Sequence, residues 1–109
     1  MPIPDGITML LPWKVLDASH AKQLEIQLSN DLSPSHVLQS RKVRALAGRF
    51  DRDDVLFEVE SDTPILALVH ITWHQETNPR LPNTQLFIGW DQWVQDILLP
   101  SRTEYTLGE

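Results

Sequence analysis

A chain of 109 residues is the size of one domain, long enough for a single hydrophobic core and too short for two. It has no cysteine, which excludes a disulfide scaffold, a cysteine nucleophile and a thiolate zinc site together. The formal net charge of -6 repels a phosphate backbone or an anionic membrane surface at long range, so neither nucleic acid nor membrane is an expected partner.

The first residues, with Pro2, Pro4, Gly6 and Pro12, read as an extended arm over 1–16. The apolar run at 9–11 is short, broken by Pro12 and preceded by no basic stretch, unlike a signal peptide. No apolar run approaches the roughly 20 residues of a membrane span, so a cytoplasmic address is expected. Asp17 or Ser19 then caps a helix in which Ala21, Leu24, Leu28 and Leu32 form one stripe and Pro34 closes the element. Ile26 lies off that stripe.

Three strands follow at 43–50, 54–60 and 65–73, joined by the polar turns 51–53 and 61–64. Connections this short allow only antiparallel neighbours. If the first hairpin is symmetric about Arg52, Phe50 faces Asp54 and Arg44 faces Glu60; symmetry of the second about Asp62 sets Asp54 opposite His70 and Leu56 opposite Leu68. One face then carries Val43, Ala45, Ala47, Val55, Phe57, Val59, Ile65, Ala67, Val69, Ile71 and Trp73. The other mixes Arg44, Leu46, Phe50, Leu56, Leu66 and Leu68 with Asp54, Glu58, Glu60, His70, Thr72 and His74. A one-residue bulge swaps part of this assignment.

Positions 75–83 read as a loop and 84–88 as a short extended piece. Trp90, Trp93, Val94, Ile97 and Leu98 then mark the clearest amphipathic helix, which Pro100 is expected to stop. The expected fold is α+β: helix, three-stranded antiparallel meander, helix, with both helices packed on the all-apolar sheet face. The domain is expected over 17–100, followed by a C-terminal tail over 101–109.

The run from Asp53 through Asp54, Val55, Leu56 and Phe57 to Glu58, and that from Leu66 to Trp73 with Glu76, Pro79 and Pro82 after it, resembles small uncharacterised bacterial proteins. The likeness covers about 24–93. It implies a stand-alone bacterial domain and brings no functional residue with it.

His70 and His74 form an H-x-x-x-H, but on a strand their α-carbons lie about 13 Å apart, too far to share one ion. No metal site and no cofactor are therefore expected. Asp54 opposite His70 has the form of an acid–histidine pair, with Thr72 two residues along on the same face and Ser61 at the far end of the sheet, yet no nucleophile elbow occurs and no catalytic residue is assigned. Glu58 and Glu60 are paired carboxylates without an evident cleft, and Arg44 reads as a cross-strand ion-pair partner. Five of the nine basic residues, Arg41, Lys42, Arg44, Arg49 and Arg52, cluster among acids and read as an ion-paired surface. Trp73 and Trp93 are expected in the core, while Trp13 has no periodic context.

Two helices on one face leave Leu46, Phe50, Leu56, Leu66 and Leu68 on the other, too many large apolar groups to rest in water, so the N-terminal arm, a second copy or a different protein is expected to cover them. The expected function is a small non-enzymatic binding protein that engages itself, as a homodimer, or another protein through that face. Its acidity suits an antitoxin- or immunity-like role against a basic toxin. On this view Leu56→Asp or Leu68→Asp breaks association while the fold survives. The alternative is a small-ligand-binding or enzymatic domain using His70, His74, Glu76 and Arg80 at the end of the third strand, beside a pocket of roughly 300 Å³ or more.

Overall fold

In the computed structural model, which describes residues 3–4, 6–49, 51–63, 65–73, 75–78 and 80–107 without the side chains of 105–107, Asp17 caps the first helix. Its carboxylate accepts the His20 N–H at 2.7 Å, satisfying one of the free donors of the first turn. Helix α1 (Ala18–Asp31) buries Leu24 and Leu28, with Ala21 partly covered and Leu32 buried just past its end; Ile26, off the stripe, is exposed. Phe50, Pro64, His74 and Pro79, like Pro2, lie outside the described residues.

The sheet has five antiparallel strands rather than three, in the order β1 (Lys14–Val15), β2 (Val43–Arg49), β3 (Asp54–Val59), β4 (Ile65–His70) and β5 (Thr84–Ile88). The arm supplies β1, which sets Lys14 against Gly48 and Val15 against Ala47. A two-residue strand carries no period for a sequence to display. The piece at 84–88 returns along β4 to make the opposite edge, Val69 facing Thr84 and Ile65 facing Ile88.

The β3–β4 register sets Asp54 against His70 and Leu56 against Leu68, as the symmetric second turn requires. The first hairpin differs. Arg49, not Phe50, faces Asp54, and Arg44 faces Glu58 rather than Glu60. A bulge between Ala45 and Ala47 leaves Leu46 without a β3 partner; its carbonyl instead accepts the Leu16 N–H at 3.1 Å. The extra residue sends Ala47, with Leu46, to the face opposite Ala45.

The helices do not share a face. α1, with Leu32 and Leu38 beyond it, covers Ala45, Val55, Phe57, Val59, Ala67, Val69 and Ile71. The C-terminal helix covers the other side in three continuous pieces: α2 (Trp90–Trp93), a π-helical stretch (Val94–Leu98) and α3 (Leu99–Leu107). Gly89, at φ 88°, turns the chain out of β5 into α2, a conformation a side chain would strain. Pro100 does not end this helix. Its ring would collide with the carbonyl four residues back, and the wider turn just ahead, in which Leu99 N–H reaches Val94 C=O, gives it room. Residues expected as a tail therefore continue as α3, and Ser101 is buried.

Trp93 and Leu98 from this helix and Trp13 from the arm bury Leu46, Ala47, Leu56, Leu66 and Phe87, with Ile3, Met9, Leu10 and Leu68 around them. Trp13 is 1% exposed, stands edge-on to Trp93 with ring centroids 5.4 Å apart, and donates its indole N–H to Ser101 Oγ at 3.2 Å. Over β2, β3 and β4 both sheet faces are thus covered within the chain.

Candidate functional site

The second core decides the fate of the expected interface. Leu46, Leu56 and Leu66 are buried under the C-terminal helix and Trp13, and Leu68 packs at the margin of the same cluster. Phe50 falls outside the described residues. The expectation of an open face rested on stacking both helices on one side, and it fails with that topology.

The residues grouped at the end of the third strand have separate engagements. His70 is exposed, and its Nδ1 lies 2.9 Å from Asp54 Oδ1, the pair that the hairpin register implies. Glu76 is buried, with its N–H donated to the Asp31 carbonyl at 2.9 Å. Arg80 is exposed, and its N–H is accepted by Asn78 Oδ1 at 2.9 Å. His74 lies outside the described residues. A groove of about 690 Å³ does exist, but its walls are Glu25, Lys42, Arg44, Glu58, Glu60 and Asp62 with their neighbours, at the other end of the sheet. A second, of about 520 Å³, runs along Gln27, Asn30, Asp31, Gln39 and Gln75. Among the described residues, no group of three or more His, Asp or Glu stands ready to hold a metal ion, and no helix is long and apolar enough to cross a membrane.

The basic cluster is dispersed among acids. Arg49 is buried and holds Asp51 at 2.9 Å and Glu104 at 2.8 Å, tying the β2–β3 turn to α3. Burial pulls its pKa down, and the hydrogen bonds and charges of Asp51 and Glu104 outweigh that pull, leaving it above the ordinary arginine value. Arg52 shares Glu104, and Arg44 lies across from Glu58.

Two buried polar groups set the loops. Asp31 takes the Gln27 side-chain amide at 2.8 Å and the Trp73 N–H at 3.3 Å. It thereby holds Trp73 at φ 66°, and that indole is exposed rather than in the core. The strand ends at His70, so its alternation does not extend to 73. His36 Nδ1 accepts the Leu38 N–H at 3.0 Å, which leaves the proton on Nε2 to donate to the Pro82 carbonyl at 2.9 Å. Thr84 Oγ1 donates to the same carbonyl, so the 33–40 segment is clamped over the start of β5.

The least covered part of the sheet is the rest of β5. The His70 N–H donates to Asn83 C=O, so hydrogen-bonded pairs recur at Leu68 with Gln85 and Leu66 with Phe87. Thr84, Leu86 and Ile88 consequently turn their N–H and C=O groups away from β4. The Ile88 N–H agrees, since its acceptor is the Gln92 side chain at 2.9 Å. The side chains of Leu86 and Ile88 share a face with Ala67 and Ile65, the α1 side, yet α1 lies over β2. They remain 44% and 76% exposed. Proteins commonly protect an edge strand with lysine, proline or a bulge. β5 has none of these, and positions 81–90 hold no charge at all. The opposite edge, β1, is two residues long and carries Lys14. No sequence signal distinguishes β5 from the inner strands, because being an edge is a property of strand order.

Comparisons with family models, with curated proteins and with solved structures found no match, so the resemblance to small bacterial proteins gains no family from them.

Proposed function

We propose that the protein is a binding protein that accepts an extended strand of a protein partner along β5. The observation that carries this reading is an uncharged edge whose outward N–H and C=O groups at Leu86 lie beside the exposed Leu86 and Ile88 side chains. Strand addition uses both features: main-chain hydrogen bonds supply affinity, and alternate side chains supply selectivity. Gln92 occupies one outward donor and leaves the centre of the strand open.

A photo-reactive benzophenone side chain at position 86 tests this in the cells that make the protein. Irradiation should give discrete protein adducts at position 86 and few at position 26, an exposed apolar site on α1. The adducts should disappear when Ile88→Lys is added. Equal labelling at both positions, or no adduct at 86, refutes the reading.

A further inference from the structure

Resting on that reading of the β5 edge, we infer that the strand it accepts is β5 of a second copy, paired antiparallel about a two-fold axis at Leu86. The charge pattern selects this occupant. The chain carries -6, so two copies repel at long range, and an uncharged stretch is where that repulsion opposes contact least. Positions 81–90 are such a stretch, bounded by exposed Arg80 at one end and exposed Asp91 at the other. Antiparallel pairing brings Arg80 of each copy toward Asp91 of the other, whereas parallel pairing sets like charges together. The edge is thus complementary to itself in one orientation, as an isologous contact demands.

The ladder fits the same axis. With Leu86 opposite Leu86, the two residues exchange N–H and C=O, and Thr84 lies opposite Ile88. The Thr84 N–H then meets the Ile88 carbonyl of the second copy. Only the return bond, from Ile88 N–H to Thr84 C=O, requires Gln92 to let go. The side chains agree as well. Ile88 of one copy arrives opposite Thr84 of the other, beside the segment that His36 holds there, and that segment presents the exposed Val37. The result is a continuous ten-stranded sheet, its two five-stranded halves joined at β5.

Light scattering coupled to size exclusion, over a range of protein concentrations, should give twice the chain mass for the native protein. Ile88→Lys, a change at a largely exposed position, should raise the dissociation constant at least tenfold with an unchanged circular dichroism spectrum. Because the chain has no cysteine, single cysteines report register directly. Leu86→Cys should oxidise to a covalent dimer, Ile88→Cys alone should do so poorly, and an equimolar mixture of Thr84→Cys with Ile88→Cys should form the mixed species. A native protein that stays monomeric, or a dimer in which Leu86→Cys does not cross-link, overturns the pairing. If the photo-adducts at position 86 then prove heavier or lighter than twice the chain, self-pairing falls while strand addition at β5 stands. If no adduct forms, both fall.

Discussion

Trp13 offers the sharpest test of how the second core is built. Its ring is nearly fully buried, stands edge-on to Trp93 and bonds Ser101 across 88 positions of sequence. Replacing a buried tryptophan by alanine costs about 3–5 kcal/mol through lost transfer energy and the cavity left behind. A domain of this length is expected to have about 5–16 kcal/mol in all, so Trp13→Ala should remove about a fifth of its stability or more. At about 4 °C per kcal/mol, the melting temperature should fall by about 12–20 °C. Trp13→Phe keeps most of the apolar area and loses the indole donor, which sets its cost at about 1–2 kcal/mol. Urea denaturation followed by far-ultraviolet circular dichroism measures both. A double-mutant cycle with Ser101→Ala should return a coupling of about 1 kcal/mol for the hydrogen bond. If Trp13→Ala costs less than about 1 kcal/mol, the arm is an appendage and the account of that face is wrong.

Two further outcomes follow from the same packing. Trp93 is as buried as Trp13, but among the described residues its Nε1 has no acceptor. Trp93→Phe therefore removes an unmet donor and should cost about 1 kcal/mol less than Trp13→Phe, read from urea midpoints. Leu56→Asp places a carboxylate at a fully buried position in the middle of the sheet; it should abolish the folded circular dichroism spectrum, and a folded Leu56→Asp protein would show that the face is open after all.

What could be read from the residues depended on whether a local rule decided the outcome. The α1 stripe and its Asp17 cap follow from spacing and one hydrogen bond, and both stand. The β3–β4 register follows from the centre of a short turn. The β2–β3 register was not readable, because nothing in Val43–Arg49 marks Leu46 as an extra residue; the bulge is set by β1 and by Leu16 docking on the Leu46 carbonyl. The stripe Trp90, Trp93, Val94, Ile97 and Leu98 announced a helix with one apolar side, but periodicity does not say which sheet face that side will meet. Trp13, isolated in a proline-rich arm, decided it by pairing with Trp93. Leu46, Leu56 and Leu66 then became core, and the exposed apolar surface moved to Leu86 and Ile88 on a strand whose edge position only the topology reveals.

The bond from Trp13 to Ser101 also constrains the order of events during synthesis. The α1 layer needs residues only as far as Ile71, so it can form while the chain is still being made. The opposite layer cannot. It needs Trp13, made before any strand of the sheet, together with Trp93 and Leu98, made after all of them. Until then Leu46, Leu56 and Leu66 stay wet on a half-covered sheet, the kind of intermediate that aggregates or recruits chaperones. Closure of such distant contacts is slow because the loop entropy must be lost before the contact repays it. The nascent chain should therefore pass through a one-sided state, and native stability should appear only once the C-terminal helix is free to dock.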